Sequence, residues 1–329
     1  MRVFVTGGTG FIGANLVRLL QQEGYKVKAL VRPNSKLDNL QNLDIEIVTG
    51  NLNGPELWQQ MQGCQYLFHV AAHYSLWQAD KETLYHHNVL GTRNVLAAAR
   101  KAGIERTVYT SSVAAIGVRG DGKPADETYQ SPVEKLIGHY KKSKFLAEQE
   151  AKKAAESGQE IVIVNPSTPI GAWDIKPTPT GETIVRFLRR KMPVYMDTGL
   201  NFIDVRDVAR GHLLALEKGK SGERYILGNQ NLTLKEFLNK LAALTGIPAP
   251  KNTVPVWLPL GVAWVEEKIL APLGKPPSVP LDGVRMATQY MYYDASKAVQ
   301  ELGLPQNSVD VAIKDAVDWF LKKTPYTKV

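Results

Sequence analysis

The stretch GHYKKSKFLAE, residues 138–148, sets one phenol among three ammonium groups. On a helix, residues four apart share a face. Tyr140 and Lys144 then form a pair, while Lys141 and Lys142 turn away from the tyrosine by roughly 100° and 200°. Ser131-Pro132 offers a start for such a helix and Gly158 a stop. A phenol left alone titrates near about pH 10. An ammonium one turn away favours the phenolate and lowers that value, and a tyrosine so tuned gives or takes a proton near neutral pH. Lys141 and Lys142 are expected in solvent. The spacing alone is common on helix surfaces, so proton-transfer chemistry here also requires a cofactor and a third group.

The cofactor signal lies at the other end of the chain. VFVTGGTGFIG places Gly7, Gly10 and Gly13 directly after an apolar strand and at the mouth of a helix. Glycines allow the tight turn and let the backbone approach a pyrophosphate, and the helix N-terminus supplies N–H donors. Phe11 and Ile12, between the last two glycines, belong to the same cradle. In a strand-turn-helix setting this is a strong dinucleotide signal, whereas a lone glycine fingerprint is weak. At the end of the second strand, ALVRPNSK puts Arg32 where an acid would hold a ribose 2′-hydroxyl, with Lys36 nearby. Arginine there suits a 2′-phosphate, so NADP is expected, with NAD as the alternative.

These groups need a scaffold. RVFVT, YKVKALV, IEIVTG, QYLFHVAA, RTVYTSS and EIVIVNP alternate with amphipathic stretches, among them 54–62 and 81–102. Such alternation predicts a doubly wound parallel sheet of the α/β class. Beyond Pro166 the texture changes. PSTPIGAWDIKPTPTG reads as a loop, and NFIDVRDVARGHLLALE with RYILG reads as a further helix and strand of the first domain. LTLKEFLNKLAALTG opens on a capping box from Thr233 to Glu236. The expected architecture is a Rossmann domain over 1–165, with 200–230 returning to it. A smaller, interleaved α/β substrate domain takes 166–199 and 231–329.

The chain has 329 residues, ample for a sizeable core, and one cysteine, Cys64, so no intrachain disulfide can form. A reducing, cytoplasmic setting is expected: no run of about 18 apolar residues exists, and the first strand begins at once. The formal charge of +8 is spread over KKSK, 152–153, RRK at 189–191 and the tail. That suits phosphorylated ligands or an anionic surface and not nucleic acid. His69, His73, His86 and His87 cluster in sequence, but His86 and His87 should point apart and no zinc-type spacing is present, so no metal site is expected. The apolar segment 254–274, with Trp257 and Trp264, is read as a hydrophobic lid over a substrate in preference to a membrane contact, because Glu266 and Glu267 are not the lysines of an interfacial helix.

In order along the chain, TGGTGFIG, HVAA, NVLGTRNVLAAA, YTSS, YKKSK, NPSTPIG, FIDVRDVA and YYDASKAVQELG resemble the extended short-chain dehydrogenase/reductase superfamily, of the NAD-dependent epimerase/dehydratase type. ADET, GHYKKSKFLAE, VIVNPSTPIGAWDIKPTPTG, DTGLNFIDVRDVARGHLLALE, GERYILG and LDGVRMA are most similar to the dihydroflavonol-reductase-like branch, in particular its hopanoid-associated sugar epimerases. The resemblance supplies the third group. Ser112 matches the catalytic serine that hydrogen-bonds the substrate oxygen, Tyr140 the proton-transferring residue, and Lys144 the lysine that holds the nicotinamide ribose and tunes the tyrosine. It further implies that Ala71, Ala72, Pro166 and Ser167 line the cofactor and that Ser111 packs or touches it. Asn88 heads the neighbouring helix, either beside the cofactor or as a buried amide tying strands together.

Two departures stand out. Where the family often has an acid for adenine, this chain has Asn51, followed by Leu52. Where nucleotide-sugar enzymes often carry Arg-Asp for the diphosphate, this chain reads Leu200-Asn201; Arg285 or Arg189 could compensate. The expected activity is hydride transfer to or from a carbonyl or secondary alcohol of a sugar-like or lipid-linked substrate. A sugar epimerase with retained cofactor and, more remotely, a non-catalytic redox-sensing module remain as alternatives. Peripheral membrane contact and a homodimer stay open.

Overall fold

The computed structural model describes residues 1–270 and 280–323. Seven parallel strands form the main sheet: β1 (Arg2–Thr6), β2 (Lys26–Val31), β3 (Glu46–Thr49), β4 (Tyr66–His69), β5 (Arg106–Thr110), β6 (Ile161–Pro166) and, returning late in the chain, Arg224–Leu227. Their spatial order is β3-β2-β1-β4-β5-β6 and then the late strand. The order reverses between β1 and β4, which opens a crevice outside the carboxyl ends of those two strands. Both faces of a parallel sheet are covered, so its strands read as nearly continuous apolar runs; Val3, Phe4 and Val5 of β1 are fully buried.

The helices Phe11–Gln22 and Val205–Lys218 pack together on one face of this sheet. A helical run from Lys81 to Ala102, with a π-turn over Tyr85–Leu90, and the helix Gly138–Glu156 cover the other. The helix bearing Tyr140 therefore begins later than Ser131-Pro132 suggests. Those two residues lead instead into a short 3₁₀ turn at Val133–Lys135, and Gly158 ends the helix with φ 91°.

A smaller sheet lies beside the first. The strand Gly199–Asp204 pairs antiparallel with Gln230–Thr233 and parallel with Thr168–Ile170 and Tyr290–Met291. Two readings change here. Thr168–Ile170 and the helix Pro179–Leu188, capped by Thr178, interrupt the expected loop. Residues 201–204, expected at the head of a helix, are strand, and the helix starts only at Val205 behind the Asp204 cap. The apolar-polar mixture of NFIDV fits either period over so short a run. The capping box between Thr233 and Glu236 is present. A second core, built on Phe202, Phe237 and the helix Val309–Lys323, holds the small sheet. No described helix is long and apolar enough to cross a membrane.

Candidate active site

Three elements deliver the reactive side chains. β5 ends at Thr110, and Ser112 follows in extended conformation as the N-cap of the short helix Val113–Ile116, its Oγ accepting from the Ala114 amide at 3.1 Å. The helix Gly138–Glu156 brings Tyr140 and Lys144 to the same end of the sheet. Tyr140 is half-buried, with Tyr74 packed edge-on against its ring at 4.6 Å. Burial pushes the phenol up to about 12, and the Ser112 hydroxyl, hydrogen-bonded to it, pulls the other way. The tuning expected from Lys144 alone is thus not what the protein by itself displays. Lys144 is buried and donates to the Thr110 carbonyl at 2.9 Å, and burial lowers its ammonium to about 8.

Lys141 corrects a second expectation. It is not in solvent: only 5% of it is exposed, its Nζ lies 3.9 Å from the Met291 sulfur, and burial lowers it to about 8. The helical-wheel argument rightly turned it from Tyr140, but the strand Tyr290–Met291 covers the flank it turns to. Lys142 is half-exposed.

Behind these groups lies a buried polar network that the sequence did not single out. Glu148, one turn beyond Lys144, accepts from the Ser111 hydroxyl at 2.6 Å and from Asn165 at 2.8 Å, and pairs with Arg224 at 2.9 Å. Arg224 and the two hydrogen bonds outweigh desolvation and hold the Glu148 carboxyl below its ordinary range. Asn165 also donates to the Ser112 carbonyl at 2.9 Å, so this network fixes the backbone that presents Ser112. The i,i+4 spacing of Lys144 and Glu148 was the available signal; that Arg224 would reach it from the late strand was not. Ser111 spends its hydroxyl here, the packing role.

The crevice between β1 and β4 fits a dinucleotide. Gly7 has φ +77°, and a Cβ there would stand 2.6 Å from the Ala71 amide nitrogen; one on Gly13 would overlap the Gly7 carbonyl and lie 2.9 Å from the Gly8 Cα. Gly10 heads the helix Phe11–Gln22, whose first turn has no side-chain cap, so Phe11 and Ile12 open that turn. Ala71 and Ala72 follow β4 after Val70, Ala71 anchored by its amide to Thr6 Oγ1 at 3.3 Å. Pro166 ends β6, and the next residue, Ser167, carries a buried Oγ without a hydrogen-bond partner among the described residues. Asn51 and Leu52 follow β3, where the Asn51 side chain accepts from the Asn53 amide at 3.1 Å. Arg32 is exposed just past β2. After burial itself, Arg32 is among the charges that disfavour protonation of His73 and His87.

Asn88 ties the loop after β4 to the helix Gly138–Glu156. Its side chain accepts from the His73 amide at 2.7 Å and donates to the His73 carbonyl and to Ser143 Oγ. His69 lies in the core between Thr6 and Thr92, and burial lowers it to about 3. His86 and His87 do not point apart: their rings meet at 5.4 Å. No metal-binding group of three ligands exists among the described residues. Asn201 is buried, bonded to Asn229, Asn231 and the Tyr293 carbonyl, and Arg285 is exposed and paired with Asp282.

The apolar segment also departs from expectation. Its described part forms the helix Trp257–Val265, in which Trp257 is 70% and Trp264 52% exposed. The tryptophans are turned to solvent and are not packed against the protein as an apolar lid would be; residues 271–274 of the segment lie outside the described residues.

Comparison with known proteins agrees with this arrangement. The chain is 72% identical to a Synechocystis sp. protein provisionally named a dihydroflavonol 4-reductase, over 96% of this chain and 94% of that one. It is 34% identical to sterol demethylase protein B of Methylococcus capsulatus, over 98% and 99%. A crystal structure of a nucleoside-diphosphate-sugar epimerase from Pseudomonas aeruginosa superposes with a TM-score of 0.80 at 26% identity, covering 100% of this chain and 99% of the other. The family model for NAD dependent epimerases and dehydratases matches residues 3–228, from β1 to one residue past the late strand of the main sheet. The chain is therefore an enzyme of the extended short-chain dehydrogenase/reductase type and belongs to the NAD dependent epimerase/dehydratase family.

Proposed function

We propose that this protein is an NADP-dependent reductase acting on a carbonyl, or in reverse on a secondary alcohol, at the polar end of a largely apolar substrate. The observation that carries the reaction type is the convergence of Ser112, Tyr140 and Lys144 at the carboxyl end of the main sheet, beside a glycine cradle that admits no side chain at Gly7 or Gly13. Ser112 orients the substrate oxygen, Tyr140 passes it a proton, and Lys144 holds the ribose side of the cofactor and keeps positive charge near the phenol. A nicotinamide dinucleotide bound in the cradle supplies or accepts the hydride. Gly7, Gly10, Gly13, Ala71, Ala72, Pro166 and Ser167 shape its bed, and Arg32 favours the 2′-phosphate. Residues 1–165 with 205–228 serve as the cofactor domain and the rest as the substrate domain; 200–204, grouped with the first by sequence, are strand of the small sheet.

The substrate class rests on two features. Leu200 stands where a diphosphate-clamping arginine would be, followed by a buried, fully bonded Asn201, and one relative carries a sterol-processing name. A polycyclic lipid of hopanoid type with a polar, sugar-like end fits both. Turnover with NADPH of hydrophobic ketones and hopanoid polyols, measured against UDP-sugars, tests this reading. Efficient turnover of a UDP-sugar with no response to any lipidic compound overturns it.

The likeness to a sugar epimerase supports a second reading, oxidation at one carbon and return of the hydride to the other face. Epimerisation needs a retained cofactor, whereas net reduction needs exchange. Stoichiometric, non-exchanging nicotinamide carried through purification favours the epimerase; readily lost NADPH favours the reductase.

A further inference from the structure

The helix Trp257–Val265 is inside out. At roughly 100° per residue, one face of the helix and its continuation presents Trp257, Leu258, Val262, Trp264 and Val265, each between 42% and 70% exposed. The opposite face carries Ala263 and the half-buried Leu260, packed on Met196, Leu281 and Val284. Glu267 is on this inner side too, buried, with its carboxylate accepting from the Leu281 amide at 3.2 Å. A lid would turn its apolar face towards the molecule, and a water-facing helix would turn out its acid. This one does neither. Two outward tryptophans amid aliphatic residues make the face of a helix that lies in a membrane interface, where an amphipathic ring has both an apolar and a wet side.

Charge around the face selects the kind of surface. Lys268 projects from the same side one turn on and is exposed. Lys251 and Lys191 lie at the start of the short parallel ladder in which Asn252 pairs with Val194, and the strand of Asn252 leads on to the helix. Both lysines are exposed. Of the acids on or under this helix, Glu267 and Asp282 are buried, Asp282 paired with Arg285 at 3.6 Å; Glu266 is half-buried, and the exposed Asp197 accepts from the Tyr290 hydroxyl. We propose that this face docks on an anionic lipid bilayer, the tryptophans entering the headgroup region and the lysines meeting lipid phosphates. The inference goes beyond the proposed reaction and does not depend on it. It does give the site a position: the docking helix rests on the helix Leu281–Met286, whose Asp282 would meet a Cβ placed on Gly138 at 2.8 Å, while a Cβ placed on Gly283 would lie 3.3 Å from Leu76. A bound membrane would therefore stand one element from Tyr74 and Tyr140.

Flotation of the full chain with vesicles of phosphatidylcholine and phosphatidylglycerol, against phosphatidylcholine alone, tests it. The wild type is expected to float with the anionic vesicles, less so at high salt, with a blue shift of tryptophan emission. Trp257→Glu with Trp264→Glu should abolish flotation while leaving circular dichroism and thermal unfolding unchanged. Lys191→Glu with Lys251→Glu should weaken binding to anionic vesicles by about tenfold or more. The proposal is overturned if the wild type stays at the bottom of the gradient, if it binds neutral vesicles equally, or if the tryptophan variant still floats. It is also overturned if light scattering shows a dimer that the tryptophan variant converts to monomer, since the face would then belong to a second copy of the chain.

Discussion

Lys144 donates to the carbonyl of Thr110 at 2.9 Å, which ties the helix that bears Tyr140 to the strand that leads to Ser112. The lysine thus holds two elements in register before any ligand arrives. Its ammonium is directed at the strand end, and the phenol is left to burial and to Ser112, which is why Tyr140 stands high, at about 12, in the protein alone. On the proposed reading, lowering the phenol belongs to the assembled complex and not to the free enzyme.

Tyr140→Phe removes the proton donor but leaves the cradle of Gly7, Gly10 and Gly13 untouched. Turnover should fall by about 10²-fold or more, the scale of lost general acid–base catalysis. NADP(H) affinity, read by titration, should be nearly unchanged. Comparable turnover in the variant removes Tyr140 from the mechanism.

Lys144 predicts a pH dependence. Burial lowers its ammonium to about 8 from 10.5, so in the free enzyme the charge is present below that value and lost as pH rises through it. The kcat/KM for reduction should decline above about pH 8, and Lys144→Met should be low and flat across the same range. The Met variant should also bind cofactor more weakly, since the lysine serves both jobs. A profile unchanged by the substitution would show that another group sets the limb.

How much of this was legible in sequence depends on the range of the interaction. The glycine cradle is local, since strand, turn and helix follow within a dozen residues, and its steric reason can be read from residue types. The Tyr140–Lys144 pairing follows from one helical period. What failed was long-range. Lys141 reads as solvated until Met291, 150 residues away, is known to cover it. Glu148 reads as a surface acid of an amphipathic helix until Arg224 arrives from the late strand. The tryptophans of 257–265 read as a lid because apolar residues are assumed to face inward, and only the packing shows which side of that helix is seated.

Arg32→Asp should weaken NADPH binding and spare or improve NADH binding. A charge-assisted hydrogen bond to phosphate is lost, and a carboxylate that suits a ribose diol is gained. Both cofactors titrated into both proteins decide it. A wild type that already prefers NADH refutes the role given to Arg32.

Arg224→Met should leave the Glu148 carboxylate buried without its closest cation. Removing one partner of a buried pair costs about 3–5 kcal/mol, here tempered by Ser111, Asn165 and Lys152 at 3.4 Å. Urea unfolding should show a loss near the lower end of that range. Because Asn165 bridges Glu148 and the Ser112 carbonyl, kcat should fall as well. Unchanged stability would mean that the pair is not closed in solution.

Lys141→Met should behave in the opposite sense. The ammonium is buried, its nearest recorded partner is a thioether, and burial lowers its pKa from 10.5 to about 8. The folded state therefore binds fewer protons at this site than the unfolded chain between those two values. Its cost is full below about pH 8, shrinks as pH rises and is gone above 10.5. Methionine keeps the stem's length and packs against Met291 without the charge. At pH 7 the variant should be the more stable, by roughly 1–3 kcal/mol. The gap between variant and wild type should close as pH approaches 10.5. Thermal unfolding of both proteins across that range isolates the site, because Lys144 and the buried tyrosines titrate alike in each and cancel in the difference. A variant less stable than wild type at pH 7 would mean that the ammonium has a favourable partner, and Lys141 would then belong with the groups that hold the site together.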